Sequence, residues 1–201
     1  MSFAPTRVLH LATTNMGKQR ELSLLLSPLG WSLQMPPAGW EVVEDGETFA
    51  ANASKKALAL QAQVGGYTLA DDSGLMVDAL DGAPGVYSAR FAGHPGPAAA
   101  RDVANCAHLL AELAAHPLAP RTARLICTLA WAAPGAAMQL FVGTLHGEIA
   151  IQPRGSAGFG YDPLFIPAGS TQTLAQLGTA TKNAIGHRGR ALAQLLGALA
   201  T

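Results

Sequence analysis

The chain has 201 residues, 49% of them hydrophobic and 13% charged, enough apolar material for one folded domain with a buried core and too much for a disordered polymer. Thirteen basic residues balance thirteen acidic ones. With no global field to hold long nucleic acid, any phosphate ligand must be met by a local basic cluster.

The N-terminal MSFAPTRVLHLATTN reads as no secretory leader, since its apolar run is short and broken by His10. No stretch approaches the roughly 20 apolar residues needed to span a membrane. Arg7 to Thr13 reads as a short buried strand, followed by a helix whose face is Leu22, Leu25, Leu26 and Leu29, with Gly30 placed to stop it. Ser32 to Met35 is a weak strand, and 36–47 is a loop. Thr48 to Val64 reads as a helix ended by Gly65-Gly66. Tyr67 to Ala70 is a strand running into Asp71-Asp72-Ser73-Gly74. Residues 82–97, rich in glycine and proline, form a structured loop. Cys106, Leu109, Leu110 and Leu113 mark a further helix. Two long strands, Thr122 to Ala132 and Met138 to Ile151, flank a turn at Pro134-Gly135. A glycine-rich loop covers 155–163, and Leu192, Leu195, Leu196 and Leu199 face the core from a last helix. Strands and helices mix without strict alternation, which predicts an α/β fold with a mixed sheet flanked by helices. Cys106 and Cys127 lie in apolar runs without CxxC spacing, predicting buried free thiols suited to a reducing cytoplasm.

Four polar clusters stand out. Thr13-Thr14-Asn15-Met16-Gly17-Lys18 joins a strand to a helix, where backbone N–H groups and a lysine suit a phosphate. It is not a Walker A loop, and an ordinary asparagine turn with a surface lysine has the same residues. The acidic run Glu44-Asp45-Gly46-Glu47 precedes a helix on which Thr48, Asn52 and Lys56 share a face. It either lines a site or complements the helix dipole. Asp71-Asp72 sits between apolar segments. Burial there calls for a cation or a lysine, and magnesium suits such hard oxygen ligands; a solvated turn is the alternative. Last, Phe159-Gly160-Tyr161-Asp162 offers a ring for base stacking. Lys182, His187 and Arg188 gather three cationic or titratable groups at a helix start. An arginine can pair with the O6 and N7 edge of a 6-keto purine. A core aromatic and solvated charges would be the bland reading.

Together the segments LATTNMGKQREL, EDGETFAANASKKA, LADDSGLMVDALDGAPGVYSARFAG, GFGYDPLFIP and KNAIGHRGRAL, spread from Val8 to Leu196, resemble the Ham1 family of inosine/xanthosine triphosphate pyrophosphatases. The resemblance implies one catalytic domain over 1–201, with two lobes around a long mixed sheet and the active site in a central cleft. It implies a magnesium-dependent homodimer, while the balanced charge, the short apolar runs and the thiols predict a cytoplasmic protein with no nucleic-acid or membrane partner. It also implies that ITP, dITP and XTP are cut to monophosphate and pyrophosphate, cleansing the nucleotide pool. Thr13, Thr14, Asn15, Gly17 and Lys18 would hold the triphosphate with Lys56. Glu44 and Asp72 would sit at the metal, with Asp72 the general base. Ser73 would touch substrate. Phe159 would stack on the purine, Gly160, Tyr161 and Asp162 would shape its pocket, and Lys182, His187 and Arg188 would read its edge.

Some positions depart from the family pattern: Thr14 for glycine, Ala51 for glutamate, Thr181 for an acidic residue, and Gly186 for serine. Taken as an N-cap, Gly186 should cost only a few tenths of a kcal/mol. The expected reaction is in-line attack of water on the α-phosphorus. Whether Asp71 or Glu44 shares the base role stays open. Two rivals are a Maf-type pyrophosphatase for pyrimidine or modified nucleotides and a non-catalytic nucleotide sensor. Neither HExxH nor GxSxG is present, and the six histidines are scattered, so zinc hydrolysis and serine or cysteine nucleophiles find no support.

Overall fold

In the computed structural model, residues 7–200 are described. The leader-peptide question concerns a stretch that begins in residues 1–6, outside the described residues. Eleven strands and α-helices follow one another: β1 (Val8–Ala12), α1 (Met16–Leu26), β2 (Ser32–Gln34), α2 (Phe49–Val64), β3 (Tyr67–Val77), α3 (Ala98–Ala114), β4 (Thr122–Ala132), β5 (Gln139–Ile149), β6 (Phe165–Pro167), α4 (Leu174–Ile185) and α5 (His187–Leu199). One six-stranded sheet has the order β2-β1-β3-β4-β5-β6. β1 pairs in parallel with β2 and β3, and β5 pairs antiparallel with β6, so the sheet is mixed as expected.

The chain divides into two compact units, and β3, β4 and β5 each pass from one to the other. In the first unit, alternation along the strands sorts side chains by size. Leu9, Leu11, Leu69, Cys127, Leu129 and Trp131 pack with Leu22 and Leu26 of α1 and with Ala191, Leu192 and Leu195 of α5. Ala12, Ala70, Ala130 and Ala132 pack with Ala53, Ala57 and Leu60 of α2 and with Trp40. The leucine side needs no polar help. The alanine side is small against small, which seats α2 on β3 and sets up the site below. Asn15 caps α1 by accepting from the Lys18 N–H, Thr48 caps α2 through Ala51, and left-handed Gly65 closes α2. Gly30 is left-handed too, but it follows a 3₁₀ turn over Ser27–Leu29 that ends α1 early.

In the second unit, Leu75 and Val77 of β3, Leu125 of β4, and Leu145 and Ile149 of β5 pack with Cys106, Leu109 and Leu113 of α3. Both cysteines are buried thiols outside any disulfide.

Two expectations are corrected and two elements are added. Asp71-Asp72-Ser73-Gly74 is not the end of a strand but its middle, since β3 runs on to Val77. Helix α4 and the short β6 were not anticipated. In α4 the left-handed Gly178 interrupts the helix, which hides its periodicity. Lys182 therefore lies in the last turn of α4, while His187 and Arg188 open α5.

Candidate active site

In the first unit the charged residues are ordered by the pleat of β3. Asp71 is fully buried and Asp72 is 5% exposed. As consecutive strand residues they point to opposite faces. Asp71 lies on the side of Leu69 and meets Lys18 of α1 at 2.7 Å. Its other oxygen accepts from the Cys127 thiol at 3.1 Å. Asp72 lies on the side of Ala70 and meets Lys56 of α2 at 2.9 Å. Lys56 also reaches Glu44 at 3.2 Å, and Lys18 stands 4.0 Å from Asp72. The solvated-turn reading of Asp71-Asp72 is thus set aside: the buried carboxylates are met by two lysines, Lys18 nearest Asp71 and Lys56 nearest Asp72.

Burial pushes the Asp72 carboxyl above its ordinary range, against the pull of Lys18 and Lys56. Burial also pushes Glu44 up, but the two ammonium groups and the hydrogen bonds from Lys56 and Asp72 outweigh it and leave Glu44 lowered. Of these two carboxylates, Asp72 is the better proton holder.

The segments around the cluster are themselves braced. Thr13 is buried and its hydroxyl accepts from the Asn15 N–H at 3.2 Å, while its carbonyl accepts from Gln19 at 2.7 Å. The Asn15 side-chain oxygen takes the Lys18 N–H at 3.0 Å. Thr14 is exposed, and Gly17 lies in the first turn of α1. Buried Asn52 grips the acidic loop: its amide oxygen accepts from Gly46 N–H at 2.8 Å, and its amide nitrogen donates back to the Gly46 carbonyl at 3.3 Å. A Cβ at Gly46 would stand 2.7 Å from that amide oxygen, so a side chain there would displace the Asn52 amide. Sequence reading placed Asn52 on the right helix face but gave it no task. Its signal was an amide on the same helical face as Thr48 and Lys56.

Metal fit turns on the donor set. Among the described residues no group of three or more His, Cys, Asp or Glu side chains forms a metal cluster. Glu44 and Asp72, however, converge on one ammonium, so their oxygens can share one cation. Two carboxylates completed by substrate phosphates is the usual magnesium arrangement. Charge argues the same way, because three carboxylates outnumber two lysines here, and a triphosphate would add only negative charge. The residues fit magnesium.

The second unit holds the other candidates. The Asp162 carboxylate accepts from Phe159 N–H at 2.8 Å and is ion-paired with Lys182. Both residues are buried. A Cβ on left-handed Gly158 would overlap that carboxylate. The Lys182 ammonium stands 4.5 Å, and the Arg188 guanidinium 5.8 Å, from the Phe159 ring centre. Arg188 is 2% exposed and donates to the Ser73 hydroxyl at 3.0 Å. His187, 5% exposed, opens α5 beside it. Tyr161 packs into the core, with its hydroxyl donating to the Ser88 carbonyl at 3.0 Å. Gly186 is shared by two helices. Its N–H closes α4 on the Lys182 carbonyl, and its own carbonyl accepts from Arg190 N–H to begin α5. A Cβ at 186 would overlap the Lys182 carbonyl, so more than capping preference is at stake there.

With the geometry of both clusters described, comparison with known proteins supplies the family. The sequence model of the Ham1 family matches residues 9–198. A dITP/XTP pyrophosphatase of Geobacter sulfurreducens is 50% identical over 188 residues, 92% of each chain. One of Desulforamulus reducens is 51% identical over 185 residues, 90% of each chain. A solved Ham1 protein of Coxiella burnetii superposes with a TM-score of 0.86 at 37% identity, covering 96% of this chain and 98% of that one. This chain belongs to the Ham1 family.

Proposed function

We propose that the protein hydrolyses non-canonical purine nucleoside triphosphates, ITP, dITP and XTP, to the monophosphate and pyrophosphate. The observation that carries this is the splitting of Asp71 and Asp72 between two lysines, which puts two cations beside one buried, proton-holding carboxylate. A sensor needs cations for phosphate but no such carboxylate.

Residues 1–201 act as one catalytic domain. Lys18 and Lys56 bind phosphate oxygens and stabilise the charge that grows on the leaving pyrophosphate. Thr13, Asn15 and the first turn of α1 orient the triphosphate. Glu44 and Asp72 would hold magnesium, which when bound neutralises charge on the phosphates. A water oxygen bonds to the α-phosphorus, the bond from that phosphorus to the bridging oxygen breaks, and pyrophosphate leaves with the electron pair. Asp72 takes the water proton. Its upward-shifted carboxyl suits that task better than Glu44, and fully buried Asp71, held by Lys18, positions rather than reacts.

The base end falls to Phe159 for stacking and to Arg188 for the 6-keto edge. A guanidinium carries five donors, and the bond to Ser73 orients the fork. An adenine amino group there would face a cation, a mismatch of about 1–3 kcal/mol. The enzyme acts in the cytoplasm as a homodimer, without nucleic-acid or membrane partners. Among the described residues no helix is long and apolar enough to cross a membrane.

Hydrolysis in ¹⁸O-water tests the reaction. The label should enter the monophosphate alone. Label in pyrophosphate, or release of orthophosphate, would refute attack at the α-phosphorus.

A further inference from the structure

The loop carrying Phe159 has an inherent problem. Gly158 and Gly160 flank the ring, both with left-handed φ, +83° and +60°. Two such glycines give the ring many alternative placements and a large entropy cost on ordering. A stacking platform must nonetheless be fixed before the base arrives.

Helix α3 supplies the constraint. The Asp102 carboxylate accepts the Gly160 N–H at 2.8 Å, and the Cys106 thiol donates to the Gly160 carbonyl at 3.4 Å. Asp102 and Cys106 are four residues apart on one helical face, so one turn of helix holds both backbone groups of one glycine. An N–H bond to a carboxylate is the stronger kind. Burial, with the charges of Asp102 and Asp162, pushes the Cys106 thiol up to about 12, which keeps it a donor at neutral pH. The helix is anchored in turn. Asn105, on the same face, accepts from Ala92 N–H at 2.9 Å and donates to the Ser88 carbonyl at 3.2 Å. That same carbonyl receives the Tyr161 hydroxyl. The residues on either side of the glycine are thereby tied: Tyr161 through Ser88, and Phe159 through Asp162.

We propose that Asp102, assisted by Cys106, is a positioning residue for base selection: through Gly160 it sets the Phe159 ring relative to Lys182 and Arg188. This rests on the reading of Phe159 as the base platform. Asp102 touches no substrate. Its removal frees the platform and weakens discrimination, while the phosphate cluster, held by α1, α2 and β3, keeps its geometry.

The test compares kcat and KM for ITP and ATP in Asp102→Ala, Asp102→Asn and Phe159→Ala, with thermal unfolding alongside. An asparagine oxygen still accepts the Gly160 N–H, so it should rescue. Asp102→Ala should lower kcat/KM for ITP by about ten- to a hundredfold, mainly through KM. ATP should change less than about threefold, and Asp102→Asn should stay close to the parent. Equal losses on ITP and ATP, or an asparagine variant as impaired as the alanine one, would overturn the proposal. Phe159→Ala separates the two readings. If it leaves the ITP to ATP ratio unchanged, the platform reading itself fails. If it collapses the ratio while Asp102→Ala does not, only the role of Asp102 fails. Should Asp102→Ala not fold, Cys106→Ala against Cys106→Ser puts the question to the carbonyl side. A loss in ITP to ATP preference with alanine, restored by serine, supports the proposal, and an unchanged preference overturns it.

Discussion

Asp71 and Asp72 are adjacent in sequence and opposed in space, the first taking Lys18 at 2.7 Å and the second Lys56 at 2.9 Å. The pleat of one strand thereby gives two identical side chains different work. Asp71 is fully buried against the leucine core and Cys127. Asp72 stands on the alanine side, where Lys56 and Glu44 converge.

Asp72→Asn should separate chemistry from binding. The amide keeps the size and can still accept from Lys56, but it cannot take a proton. Steady-state kinetics with ITP should show kcat lower by about 10²–10⁴-fold with little change in KM. A kcat within about threefold of the parent would remove Asp72 from proton transfer.

Asp71→Ala should damage stability more than any exposed carboxylate would. It removes the nearer carboxylate of Lys18, whose side chain is only 12% exposed, and leaves Asp72 at 4.0 Å; breaking such a buried pair costs about 3–5 kcal/mol. Urea unfolding should report a loss of that order. The double variant Lys18→Met/Asp71→Leu should recover part of the stability, because no charge is then left without a partner, yet it should stay inactive.

Arg188→Ala should lower kcat/KM for ITP at least about tenfold more than for ATP. Its guanidinium lies near the Phe159 ring and donates to the Ser73 hydroxyl. Equal losses on both nucleotides, measured side by side, would take Arg188 out of base reading.

Alkaline pH should erode stability through the core behind the glycine loop. The Cys106 thiol is raised to about 12 from an ordinary value of 9.0, and the Tyr161 hydroxyl is raised as well. The folded state therefore holds these protons where the unfolded chain has released them. Their stabilisation is full below about pH 9 and is lost as pH climbs through about 12. Thermal unfolding between pH 8 and 11 should show the decline, shallower in Cys106→Ala. Native protein at pH 8 should also resist thiol alkylation until unfolded.

Much of this site was legible because its residue types answer local needs. Lys18 after an asparagine cap, Asp71-Asp72 in an apolar run, and Arg188 two residues after a glycine all announce buried charge in a chain with little charge to spare. The continuation of β3 past Asp72 was not legible, since consecutive aspartates are turn formers in isolation. Only the lysines on both faces, brought in by α1 and α2, make an aspartate pair tolerable inside a strand. Helix α4 was masked by Gly178. Asp102 gave no signal at all, because one carboxylate on a helix is most often solvated, and only the fold brings Gly160 beneath it.

The most direct measurement is pyrophosphate release from ITP, dITP, XTP, GTP, ATP and dTTP, with magnesium and again with EDTA. Fast release from the first three, lost in EDTA and at least about a hundredfold slower with GTP and ATP, is the predicted result. Preferred turnover of dTTP, or ITP binding without pyrophosphate release, would contradict it.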